Sequence, residues 1–346
     1  MVHTLIKERS ISNKALGTDP KTPRFFYGGQ AVIEGVMIRG RRFATVAARR
    51  PNGDLTSRVT PLSSLYTGPL RHIPLLRGVI VLAETLALGT KALAYSANVS
   101  LEEEDQELGR WSMALMLTLS LSLVVGLFFL LPLLLIHFFD QAVDSAILSN
   151  ILEGIIRLSL FLAYVWGIGL MPDIRRVFAY HGAEHMTVKT HEAGEPLETK
   201  YVRKYTTAHP RCGTAFLLVV MLVAIVVFVF LGKPPMLLRI LSRVILIPVI
   251  AGLSYEIVRF SGAHQGNSFV RIIMSPSLLL QTLTTRKPDD AQIAVAIHAM
   301  QCAIAADEGS TPPDPEFEEV GSGNSLSENT LPKSCDVDDT SSLTRT

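Results

Sequence analysis

Cysteine is scarce in this chain: Cys212, Cys302 and Cys335 are the only three in 346 residues. They are too few for a disulfide framework and lack the paired spacing of a zinc finger. An excess of either charge is missing too. With 32 Lys and Arg against 31 Asp and Glu, the net charge is +1, so nucleic acid is not an expected partner. Phosphate-binding glycine loops are absent: Gly28-Gly29 and Gly35 follow neither Walker nor Rossmann spacing, and are assigned to turns and close packing. No internal repeat is visible. Residues 1–24 have no apolar centre and no small-residue cleavage site, so a secretory signal is not expected there and an internal segment is expected to direct insertion.

What the chain does have is apolar sequence gathered into four runs. The first, Met113 to Phe139, contains no Asp, Glu, Lys or Arg and exceeds the ~20 residues that cross a bilayer. Trp111 precedes it as an interfacial anchor, and Pro132 is expected to kink it. The run from Gly213 to Gly232 is equally free of charge. The run from about Ile151 to Met171 carries Glu153 and Arg157, one turn apart and able to pair. The fourth, about Leu237 to Val258, carries Arg239 and Arg243 at its start and Glu256 near its end. The expected fold is a polytopic α-helical membrane protein of about four spans, seated in the cell membrane.

Basic residues set the expected orientation. Fifteen Lys and Arg precede the first span and none lies in 140–150; seven lie in 172–212 and six in 259–346. That alternation predicts cytoplasmic N and C termini. Arg77, Glu84 and Lys91 are spaced by seven in the segment 72–97. This predicts an amphipathic helix lying on the bilayer or packing against the bundle, with a fifth span as the alternative.

The soluble parts divide by composition. Residues 1–24 read as a flexible N-terminus, and 25–110 as a cytoplasmic β-hairpin region followed by that amphipathic helix. Within it, Pro51-Asn52-Gly53-Asp54 is a turn signal between Phe43–Arg50 and Leu55–Thr60. Residues 111–260 form the membrane domain, with a helical cytoplasmic loop at 172–212. Residues 261–305 form a C-terminal helical segment, whose stripe Ile293, Ile297, Met300 and Ile304 follows Pro288-Asp289-Asp290 in a first turn. The acidic tail 306–346, poor in apolar residues, is expected to be disordered, and the acidic run 102–105 to be a solvated linker.

The central loop carries the residues suited to chemistry. In Tyr180-His181-Gly182-Ala183-Glu184-His185, the two imidazoles are four apart and share a helix face, as two metal ligands from one helix must. Glu184 beside them is placed to handle a proton. Gly182 weakens that helix by up to ~1 kcal/mol relative to Ala. A second cluster, His209-Pro210-Arg211-Cys212-Gly213, stands immediately before the third run. Glu256 lies towards the same end of the bundle. The predicted topology brings all three groups to the cytoplasmic rim.

Several motifs resemble those of the YqhQ-type family of uncharacterised bacterial membrane proteins. They are Gly28 to Gly40 (GGQAVIEGVMIRG), His181-Gly182-Ala183-Glu184-His185, His209 to Gly213, Ser254-Tyr255-Glu256 and Thr284 to Asp290. The resemblance covers about residues 25–305. It implies a metal-dependent enzyme and no particular reaction. Its implied site comprises Glu34, His181, Glu184, His185, His209, Cys212 and Glu256. Met186 and Lys287 depart from the pattern.

The expected function is therefore a membrane-embedded, metal-dependent hydrolase. His181, His185, His209, Cys212 and Glu256 are the candidate ligands of a divalent ion, Zn²⁺ above others, and Glu184 and Glu34 the candidate catalytic carboxylates. The substrate would be a lipid or a membrane-protein segment, by the location of the site. The alternative is a non-enzymatic scaffold or assembly factor held by a structural polar network. A transporter ranks last, because the first and third runs hold no ionisable residue except His137.

Overall fold

The computed structural model describes residues 25–101, 110–139, 144–209, 211–264, 267–310 and 336–337. The expected flexible N-terminus, the acidic run 102–105 and all but 306–310 and 336–337 of the expected tail lie outside them. Four strands come first: β1 (Gly28–Val32), β2 (Gly35–Arg39), β3 (Phe43–Arg49) and β4 (Leu55–Pro61). The helices are α1 (Leu76–Ser100), α2 (Arg110–Val125), α3 (Leu131–Phe139), α4 (Ala146–Ile168), α5 (Pro172–Ala193) and α6 (Thr199–Val202). They continue with α7 (Gly213–Leu231), α8 (Met236–Ile245), α9 (Ile247–Ala263), α10 (Ser268–Thr284) and α11 (Asp290–Glu308). A two-residue strand, β5 (Asp336–Val337), pairs in parallel with β4.

The N-terminal sheet is antiparallel through β4, in the order β1-β2-β3-β4-β5. The anticipated hairpin is its β3–β4 arm, with Arg49 opposite Leu55 and Gly53 at φ +95 in the turn. Both faces of the sheet are covered, which explains why β2 and β3 read as nearly continuous apolar runs instead of alternating. Val36, Ile38 and Ala47 pack with Tyr180, Ala183, Ile293, Ala296 and Met300 of α5 and α11. On the other face Val32, Met37, Ala44 and Val46 meet Ala92 of α1. The stripe read from α11 is the core-facing one. Asp289, not Pro288, caps this helix, in a capping box with Gln292.

Among the described residues, three helices are long and apolar enough to cross a membrane: α1, the α2–α3 pair from Ala114 to Phe139, and α4. A fourth candidate is the pair α8–α9, bent by 46°. Helix α7 is shorter and carries no charged residue. The segment read as an interfacial helix is thus one of the candidates by length and composition. Two of its three charges turn inward. Glu84, buried at 3% exposure, accepts from Arg39 and Arg71 at 2.9 Å. Arg77 pairs with Glu256, which also accepts the Leu75 N–H at 3.1 Å. Where α1 crosses α9, Gly78 sits against Gly252, so the two backbones approach closely.

Between α2 and α3 a π-helical turn, Gly126–Leu130, widens the helix. The Phe128 carbonyl in that turn accepts from Arg157 Nε at 2.9 Å, the kind of local task such turns serve. Arg157 also pairs with Glu153 at 2.7 Å, as its spacing predicts. Arg239 and Arg243 of α8 join the same carboxylate at 2.9 and 2.8 Å.

Glu256 holds the N-terminus of α1 by a charge-assisted bond and by an ion pair. Glu256→Ala is therefore expected to lower unfolding free energy by about 1–3 kcal/mol. The loss should shrink in an Arg77→Met background, measured as a double-mutant cycle in detergent. An uncoupled pair would refute this account of the α1–α9 junction.

Candidate metal centre

Helix α5 is built to start and stop sharply. Pro172 occupies its first turn beside Asp173, and Gly194 ends it in the left-handed region at φ 75. Its middle is buried: His185 is 1% and Glu184 4% exposed. His181 and His185 emerge from one face with ring centroids 4.3 Å apart.

Each imidazole is oriented by a backbone carbonyl. His181 Nδ1 lies 2.9 Å from the Thr284 carbonyl oxygen, and His185 Nδ1 lies 2.5 Å from that of Thr207. A carbonyl only accepts, so both Nδ1 atoms carry the proton and both Nε2 atoms present a lone pair. His181 Nε2 points at Cys212 Sγ, 3.3 Å away. Donor atoms of His181, His185 and Cys212 lie within 4.8 Å of one another. Zinc bonds of about 2.0–2.1 Å to nitrogen and 2.3 Å to sulfur put neighbouring tetrahedral ligand atoms roughly 3.5 Å apart. These three residues can hold a metal ion. Nδ1–H bonds to carbonyls are the usual outer partners of metal-binding histidines.

Cys212 is also the N-cap of α7, accepting from the Thr214 N–H at 3.4 Å. The positive end of that helix faces the sulfur, which suits an anionic ligand. His209 is arranged differently. Its Nδ1 accepts the Arg211 N–H at 3.3 Å, so its proton sits on Nε2, 3.6 Å from Glu192. That tautomer turns no lone pair from Nε2 to the cluster; His209 stands beside His185 at 5.5 Å between ring centroids. Gln281 fixes its backbone by two bonds of 2.7 and 2.8 Å.

Glu184 is a buried carboxyl next to the donors, with an oxygen 3.5 Å from His185 Nε2. Burial pushes its pKa up; His181, His209 and the Gly29 N–H pull the other way without cancelling that rise. Burial would also raise Glu192, but His209 and Arg211 outweigh it and hold that carboxyl below the usual range. Two glycines make the close packing possible. A Cβ on Gly182 would meet the Arg286 carbonyl at 2.1 Å, and one on Gly29 would meet Glu184 Cγ at 2.9 Å. The helix-weakening glycine thus admits the 284–286 segment whose carbonyl orients His181.

Two candidate residues lie elsewhere. Glu256 is engaged at the α1–α9 junction. Glu34, at φ +49 in the β1–β2 turn, pairs with Arg176 and accepts from Tyr180 at 3.1 Å, locking the sheet onto the first half of α5. Three contributors escaped sequence reasoning. The Thr207 and Thr284 carbonyls leave no side-chain signal. Glu192 did have one, since it lies seven residues after His185 on the same helix face.

Residues 73–306 match the family described as a protein of unknown function, DUF1385. The chain belongs to that family. It is also 32% identical over 287 residues to the uncharacterized protein YqhQ of Bacillus subtilis (strain 168), covering 79% of this chain and 90% of the relative. No solved structure matches. The site therefore sits in a family whose description assigns no reaction.

Two outcomes test this geometry. Gly182→Ala is expected to displace segment 284–286, costing about 1–3 kcal/mol and weakening metal retention more than Gly29→Ala does. For Glu184, a pKa raised in the folded state means that stability is greatest below the unfolded value and falls as pH rises through the folded one. In chelator, Glu184→Gln should therefore melt above wild type at a pH well above the ordinary Glu value of about 4.3, with the difference closing as pH falls to that value. A pH-independent difference would contradict the burial argument.

Proposed function

We propose that this protein is a polytopic membrane enzyme of the bacterial inner membrane that binds a divalent ion, Zn²⁺ by its donor set, and catalyses a hydrolysis at the cytoplasmic face. The single observation that supports this most is the pairing of two carbonyl-oriented imidazoles and a thiol with a buried carboxyl. Three protein ligands leave a fourth position for water or substrate, the pattern of catalytic rather than structural zinc sites. The ion would supply Lewis acidity. Glu184, its pKa raised by burial, would take a proton from the attacking water and return it to the leaving group. His209 and Glu192 act as positioning residues around that pair.

The apolar helices support the membrane reading. The bilayer is the natural cover for Leu119, Leu121 and Leu123, each more than 60% exposed in α2. The excess of Lys and Arg before α2 and in 172–212 supports cytoplasmic termini, and with them a site on that side. A lipid or a juxtamembrane protein segment is the substrate such a position can reach.

Metal analysis of the purified protein tests the first step. Wild type is expected to carry roughly one zinc ion per chain, and the His181→Ala/His185→Ala double variant a trace. Glu184→Gln should keep its metal and melt no lower than wild type while failing to complement a deletion strain. Equal trace metal in wild type and double variant would end the enzyme reading. An unstable, metal-free Glu184→Gln would favour a scaffold.

A further inference from the structure

The outer edge of the sheet runs beside Glu184, the carboxyl next to the metal donors. β1 is an edge strand, joined to β2 by the two-residue turn Ile33–Glu34, with Val32 opposite Gly35. In such a hairpin the closing pair exchanges both hydrogen bonds, and every second pair does so after it. Gln30 and Gly28 are therefore bonded to β2, while Gly29 and Ala31 turn their N–H and C=O groups outward. Among the described residues, no loop or turn backbone group bonds to them. The Gly29 N–H reaches Glu184, so this edge leads directly to the buried carboxyl. The outward groups of Ala31 follow about 7 Å further along the strand.

Exposed edges in soluble domains are normally blunted by lysine, proline or a bulge. This one, Gly-Gly-Gln-Ala-Val, has none of these. Gly28 has open space where a side chain would stand. Amide donors and acceptors alternating at a two-residue repeat match an extended polypeptide backbone; a lipid headgroup offers no such repeat.

We propose that β1 binds an extended polypeptide as an added strand and delivers its scissile amide to the His181/His185/Cys212 site, an inference that rests on the hydrolytic reading of that site. Water oxygen bonds to the amide carbon and the C–N bond breaks. One product keeps the hydroxyl as a carboxylic acid; the other leaves as an amine, taking the proton that Glu184 received from the water.

The test uses the full chain in detergent with β-casein, an unstructured polypeptide, as probe. Hydrogen exchange at residues 28–32 is expected to slow when casein is added to zinc-loaded protein. Ala31→Pro removes one outward donor and no ladder bond, and edge strands tolerate proline. It should keep wild-type melting and zinc content while casein cleavage falls about tenfold, the effect of losing roughly 1.4 kcal/mol. Unchanged exchange at 28–32 in the zinc-loaded wild type would overturn the proposal, and needs no variant to fold. Zinc-dependent hydrolysis of lipid but not casein would also overturn it, while leaving the metal reading intact. Casein protection of 28–32 in a protein that binds no zinc would support the strand site and end the metal reading instead.

Discussion

The Nδ1 protons of His181 and His185 are each committed to a backbone carbonyl, and the rest of the site depends on that commitment. An imidazole free to choose its tautomer presents a lone pair only part of the time. Here Thr284 and Thr207 make the choice in advance. Those carbonyls come from the end of α10 and from the segment before α7, far from α5 in sequence. The site is therefore assembled only when the apolar helices have delivered both segments. His209 shows the same logic in reverse: an N–H donor at its Nδ1 moves the proton to Nε2 and directs it to Glu192. Three histidines of one cluster are thus sorted by what faces Nδ1: two turn Nε2 to the donor cluster and one turns it to Glu192.

The sheet depends on the same packing. Glu184 is buried because β1 lies across it, and β1 can lie there because Gly29 has no side chain. Gly182 admits the 284–286 segment on another side of α5. Glu34 and Arg176 then fix the turn of the hairpin to the helix. A weak helix former and a bare strand residue, unhelpful locally, are what bring the charged and coordinating groups together.

Much of this was legible in the sequence. The apolar runs are the helices, the Asn-Gly turn is the β3–β4 hairpin, and the spacing of four puts His181 and His185 on one face. The errors share a cause: sequence spacing reports which face a residue occupies, not what stands opposite. Arg77 and Glu84 share a stripe on α1 by their spacing of seven, and each meets a partner from another element that the spacing does not name. Glu256 shares an end of the bundle with the site, but Arg77 and the start of α1 claim it. The outer carbonyl partners were invisible for a different reason, since every residue has a carbonyl and only the fold selects two.

Apolar helices alone do not define one register, because dispersion contacts between their faces change little when one helix slides along another. Directional bonds remove that freedom. Helix α7 has such bonds at both ends. Cys212 caps its start within the donor cluster, and the Gly232 carbonyl after its last turn accepts from Asn150 at 2.7 Å. Asn150 in turn accepts from Arg243, which shares Glu153 with Arg157 and Arg239. A 19-residue helix is about 28 Å long, so the two polar clusters clamp it from opposite ends. Placing one carboxylate among three guanidinium groups in apolar surroundings carries a desolvation cost of several kcal/mol per ion. That cost makes sense for a bundle whose sliding by one turn, about 5.4 Å, would carry Cys212 out of reach of His181. The ion cluster and the donor cluster then serve one end: the first sets the height of α7, and that height places Cys212 beside His181.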